Sequence, residues 1–116
     1  MERYVNDFIK YSIMNCDSAH NGDSRKANYA NDKLRKIEKL LKESGEAEKF
    51  IDKIIFMTND RRVLAWICSY AMEVDYDLPR IRKILLDITR KSDDLTAFEA
   101  KTMLKIIANK KKKEKN

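Results

Sequence analysis

Apolar residues recur along this chain three and four positions apart, the spacing of helices that bury one face. From Glu2 to about Asn15, Val5, Phe8, Ile9, Ser12, Ile13 and Cys16 share a face, with Tyr4 and Tyr11 beside it. The stretch Asp17-Ser18-Ala19-His20-Asn21-Gly22-Asp23-Ser24 is rich in turn formers and predicts a loop, with Asp23 or Ser24 capping the next helix. A second helix from about Arg25 to Glu43 carries a narrow seam of Ala27, Ala30, Leu34, Ile37 and Leu41, small residues first and large ones last. Acid-then-base pairs four apart, Asp32 with Lys36 and Glu38 with Lys42, are expected to support it. Gly45 is placed to end it with a left-handed cap. A third helix, about Glu46 to Met57, turns Ala47, Phe50, Ile51, Ile54 and Ile55 inward.

The run Arg61-Arg62-Val63-Leu64-Ala65-Trp66-Ile67-Cys68-Ser69-Tyr70-Ala71-Met72 is the most apolar in the chain and holds its one tryptophan. Val63, Leu64, Ile67, Cys68 and Ala71 give a core stripe that Trp66 and Tyr70 widen, so this helix, ending near Val74, is expected at the centre with Trp66 enclosed. Pro79 suits the first position of a fifth helix, with Ile81, Ile84, Leu85 and Ile88 inward. Ser92-Asp93-Asp94 then caps a sixth, from about Leu95 to Asn109, that buries Ala97, Ala100, Met103, Leu104 and Ile107.

The pattern predicts an all-α domain over residues 1–109, of about six helices in hairpin units two-three, four-five and a one-six closure. Units of that length suit an α-α superhelix of the HEAT or armadillo kind, and a compact helical bundle is the alternative. With 116 residues, a single domain with a real core is the prior, and two Gly and one Pro leave little chemistry for β-hairpins. Apolar residues at 43% and charged residues at 38% argue against global disorder. No apolar run is long enough to span a bilayer, and Met1-Glu2-Arg3-Tyr4-Val5-Asn6-Asp7 does not open like a secretory signal, so a cytoplasmic location is expected. Cys16 and Cys68 are expected to be free thiols of a reducing compartment. Five Lys against one Glu in residues 110–116 contribute +4 of the net +6, leaving +2 for the rest; these residues read as a basic disordered tail.

Candidate chemistry is thin. His20 is the one histidine; Cys16, Asp17 and Asp23 stand near it in sequence, but their spacing matches no metal-ligand pattern, and a solvated loop histidine is expected. The two glycines are too far apart for a phosphate loop, no serine sits in a nucleophile elbow, and paired carboxylates (Asp75 with Asp77, Asp93 with Asp94) fall where helix capping needs them. The chain is therefore read as not an enzyme, with no cofactor, no metal and no small-molecule substrate. The connection Glu73-Val74-Asp75-Tyr76-Asp77 sets three carboxylates around a tyrosine, so Glu73, Asp75, Tyr76 and Asp77 are the expected protein-contact residues, suited to a basic partner. Arg25, Lys26, Lys33, Arg35, Lys36, Lys39 and Lys42 against few acids make the second helix basic, which supports the alternative of nucleic-acid association together with the lysine tail.

Three blocks carry a resemblance: Gly22-Asp23 with Lys26-Ala27-Asn28 and Asp32-Lys33; Arg62-Val63-Leu64-Ala65-Trp66-Ile67; and Ala97-Phe98-Glu99-Ala100-Lys101 with Leu104. Over roughly residues 20–107 the chain resembles a group of small bacterial helical proteins with an armadillo- or HEAT-like superhelix and no assigned activity. It departs from the group at Ile106-Ile107, where an aromatic is usual, and in its lysine tail. Some members look like immunity partners of secreted toxins. The resemblance thus implies a non-enzymatic protein-binding module that neutralises a toxin domain, such as a nuclease, by covering it.

Overall fold

Each helix stops where the backbone chemistry forces it to. The computed structural model describes residues 2–114, with side chains as far as Lys110. Its helices are α1 (Glu2–His20), α2 (Ser24–Glu43), α3 (Ala47–Met57), α4 (Arg61–Glu73), α5 (Leu78–Lys91) and α6 (Leu95–Glu114), and no strand occurs among the described residues. At the end of α1, Gly22 sits at φ 74° while Asp23 N–H donates to the Ser18 carbonyl (2.9 Å) and Gly22 N–H to that of Ala19 (3.3 Å). Gly45, at φ 76°, closes α2 in the same way, with Glu46 N–H on the Leu41 carbonyl (3.0 Å). This paired bonding satisfies carbonyls that the helix end leaves open, and it needs a left-handed residue.

The loop expected at Asp17–Ser24 is thus shorter than its composition implied. Asp17, Ser18, Ala19 and His20 stay helical, because Ser18 is buried and the Asp17 carboxylate is held by Arg62 of α4 (3.0 and 3.1 Å). Asp23 caps α2 by accepting from Lys26 N–H (3.1 Å), Asp60 caps α4 by accepting from Arg62 N–H (2.9 Å), and Asp94 caps α6 by accepting from Ala97 N–H (3.0 Å). α6 runs past Asn109 into the lysines. Of the tail expected at residues 110–116, Lys115, Asn116 and the side chains of 111–114 lie outside the described residues.

α4 is the hub. It packs on α1, α3, α5 and α6, and its Tyr70 hydroxyl reaches α2 by donating to the Glu38 carbonyl (2.8 Å). Its Val63, Ile67, Cys68 and Ala71 have no exposed surface, and Tyr70 is 2% exposed. Phe8 and Phe50 meet edge to face, centroids 5.4 Å apart, and tie α1 to α3. Leu34, Leu41, Ile51, Ile54, Ile81 and Leu85 are fully buried as well.

The pairing of helices differs in part from the expected one. α4 and α5 do pair, but α2 lies along α1 and meets α3 only sparingly, while α6 lies along α5. One tie holds α2 against α1: the Asn15 amide of α1 donates to the Ala27 carbonyl of α2 (2.8 Å). α1 and α6 also meet, with Cys16 Sγ 3.2 Å from Thr96 Oγ1. The result is an all-α, compact six-helix bundle closed around α4. None of its helices is long and apolar enough to cross a membrane.

Candidate functional site

The α4–α5 corner holds the four expected contact residues. Asp75 takes the place that glycine fills elsewhere: at φ 58° it is left-handed, with Tyr76 N–H on the Ala71 carbonyl (2.9 Å) and Asp75 N–H on that of Met72 (3.2 Å). Asp77, which precedes α5, is left-handed too (φ 48°) and makes no side-chain capping bond. Two such non-glycine residues in one short link store strain of about 1–3 kcal/mol each. Each side chain is engaged within the chain: Glu73 with Arg35 of α2, Asp75 with Lys110 of α6 (3.3 Å), and Asp77 with Arg80 (3.0 Å). The Tyr76 hydroxyl donates to Asp52 of α3 (2.9 Å), which also pairs with Arg80. The bond to Asp52 raises the Tyr76 phenol, and the Arg80 guanidinium holds the Asp52 carboxyl below its usual range. The structure brings the four residues to one corner, as a charged rim whose acids are already paired and whose tyrosine is half-buried.

Beside this rim lies a groove the sequence reading missed. Trp66, expected inside the core, is only half-buried, and Tyr70 takes the enclosed place. Trp66 and Ala65 of α4 form the groove with Phe98, Glu99, Thr102 and Met103 of α6, Asn15 of α1 and Arg35 of α2; its volume is about 380 Å³. The indole is fixed from two sides. Its Nε1–H donates to Asn15 Oδ1 (3.2 Å), and the Arg35 guanidinium lies 5.7 Å from its ring centroid. Phe98 is 66% exposed. Glu99 has no ion-pair partner among the described residues, and burial pushes its carboxyl up. The sequence did hold a signal: Arg62, Trp66, Ser69 and Glu73 fall at i, i+4, i+7 and i+11, so the tryptophan rides the polar face of α4.

Arg35 connects the groove to a buried acid. Glu38 is 4% exposed, accepts from Arg35 (3.1 Å) through one oxygen, and has no partner for the other among the described residues. Burial outweighs the guanidinium and pushes this carboxyl up to about 7. Glu38 therefore faces inward and does not reach Lys42; the Asp32–Lys36 pair is likewise unformed among the described residues.

The Cys16–His20 region is weaker than its composition suggests. His20 lies in the last turn of α1, not in a loop, and its Nδ1 sits 2.7 Å from the Cys16 carbonyl and 3.6 Å from Cys16 Sγ. Asp17 is engaged by Arg62 and Asp23 by the α2 backbone, so neither serves His20. Burial pushes the Cys16 thiol up, the direction opposite to a nucleophile's need. No group of three His, Cys, Asp or Glu side chains among the described residues is arranged to hold a metal ion. Burial likewise pushes the Cys68 thiol and the Tyr70 phenol up to about 12.

The α1–α2 face is basic and aromatic. Tyr11 and Tyr29 meet edge to face at 6.0 Å, with Lys10 5.3 Å from the first ring and Lys33 5.5 Å from the second. Lys10, Lys26, Lys33 and Lys36 are exposed and form no ion pair among the described residues. Compared with known protein families, curated proteins and solved structures, the chain matches none of them.

Proposed function

We propose that the chain is a non-enzymatic protein-binding module whose contact surface runs from the Trp66–Phe98 groove across Arg35 to Glu73 and the Asp75-Tyr76-Asp77 corner. One observation carries this reading: two large aromatic side chains, one half-buried and one 66% exposed, line an open groove with a polar rim. Large aromatics ringed by polar groups are what interface hot spots are made of. The finer reading is an immunity protein that neutralises a secreted bacterial toxin domain; it draws on the resemblance given above and on the carboxylates of the corner. On this reading the gene upstream should encode the C-terminal part of a large secreted toxin, and co-expression with that fragment should restore growth and yield a stoichiometric complex stable to moderate salt. Phe98→Ala should weaken that complex at least about tenfold, the effect of losing one interface aromatic. Absence of rescue would end the immunity reading. A complex indifferent to Phe98→Ala would move the interface elsewhere.

A second reading, association with single-stranded nucleic acid, is favoured by the Tyr11–Tyr29 pair with Lys10 and Lys33 over its rings. Tyr29, 51% exposed, offers a stacking surface and the lysines phosphate contacts. Binding of a fluorescent oligonucleotide should then fall steeply with salt and weaken on deletion of residues 110–116. Salt-independent binding would exclude this mechanism.

A further inference from the structure

The charges around the groove do not balance. Arg35 is shared by Glu38 and Glu73, so its charge is already engaged within the chain. Glu99, on the same wall as Phe98, makes no ion pair among the described residues; His20 of α1 acts on it only as a nearby charge, and its carboxyl is partly removed from water. A carboxylate in that position gains most from a cation that arrives from outside. The rings are suited to the same ligand. Arg35 already lies over one face of the Trp66 ring at cation–π distance, and the exposed Phe98 ring offers an aromatic surface that no cation among the described residues covers.

We infer that the groove receives an arginine side chain from a basic segment of the protein partner, held between Trp66 and Phe98 with Glu99 as its counter-ion. This rests on the protein-binding reading and names the chemistry of the partner. The guanidinium would present its flat face to the indole or the phenyl ring and its edge to the carboxylate. Thr102 lines the same groove, and its hydroxyl, which donates to the Phe98 carbonyl, can still accept a further N–H group.

Trp66 is the one tryptophan, so its emission reports the groove directly. The probe is a short synthetic peptide with a single central arginine flanked by leucines, titrated into the full chain; its control carries citrulline, which has arginine's shape without its charge. The arginine peptide is expected to change Trp66 emission saturably. Citrulline, or Glu99→Gln in the protein, should weaken binding about tenfold, the loss of one charge-assisted hydrogen bond. Glu99 is exposed, so the substitution leaves the fold intact, and an unchanged thermal melt verifies this. Glu99→Lys should reverse the preference toward a glutamate-centred peptide. Equal affinity for arginine and citrulline, indifference to Glu99→Gln, or no response to any peptide would overturn the inference. The protein-binding reading is judged separately: a toxin complex sensitive to Phe98→Ala but not to Glu99→Gln keeps that reading and removes the cation.

Discussion

Glu38 shows how one misplaced charge sets a protein's pH response. In the unfolded chain its carboxyl would ionise near 4.5, whereas in the fold it does so near 7. Between those values the folded chain holds a proton that the unfolded chain has lost, so stability from this group falls as pH rises through the window and is flat above it. The loss is on the order of 3 kcal/mol. Melting temperature should therefore drop between about pH 5 and about pH 7.5, and Glu38→Gln should flatten that slope, as scanning calorimetry across pH would show. A slope that survives the substitution would assign it to another group. Asp52, Asp60 and Asp94 act in the opposite sense: their arginine partners lower them, so their stabilisation disappears only as pH falls below the ordinary carboxylate range. Trp66 is the other informative residue. Full enclosure would make Trp66→Ala cost about 3–5 kcal/mol. Half-buried and tied by Asn15 and Arg35, it should cost nearer 2 kcal/mol by denaturant titration, about half of that range. The sequence showed that this helix was the hub, but not that Tyr70 would displace Trp66. Both lie one turn from core positions, and only the Glu38 carbonyl, placed to accept the phenol, decides between them.

At the scale of elements, the caps were the most legible feature. Asp23, Gly45 and Asp94 act through their local chemistry, almost without regard to tertiary context. The end of α1 was not legible, because Asp17-Ser18-Ala19-His20 has the composition of a turn and stays helical through long-range contacts: Arg62 on Asp17, burial of Ser18. Gly45 gives a clean test. A Cβ there would meet no atom within 4 Å, so Gly45→Ala should cost only the left-handed backbone penalty, about 1–2 kcal/mol. For a domain of this size that lowers the melting temperature by about 4 °C per kcal/mol. Asp75 occupies the equivalent position at the α4–α5 corner, and Asp75→Gly should be neutral or stabilising by up to about 1 kcal/mol, since it trades strain for a surface ion pair of small worth. A clear loss of stability would show that the Lys110 contact matters more than exposed pairs usually do. Asp94→Ala should cost about 2 kcal/mol, because it removes the α6 cap and both bonds from Arg61 (2.8 and 3.1 Å) at once.

For the molecule as a whole, composition and periodicity were enough for six helices around one central member, and not for which helices lie side by side. Short links allow several neighbours; the choice falls to long-range contacts, such as the Asn15 amide of α1 on the Ala27 carbonyl of α2. The groove stayed hidden for a related reason. Its walls come from α1, α2, α4 and α6, far apart in sequence, and only the polar company of Trp66 on its own helix hinted at it. The Arg62–Asp17, Arg61–Asp94 and Arg35–Glu73 pairs join the same distant segments, which makes the site a product of closure rather than of any one helix. One last property follows from the hub. Cys68 is fully enclosed within α4 and its thiol resists ionisation, while Cys16 keeps some surface. A disulfide dye should thus titrate one sulfur in the native ensemble and reach the second only when the bundle breathes open, so the slow phase of colour development becomes a clock for the rarest excursions of the whole fold.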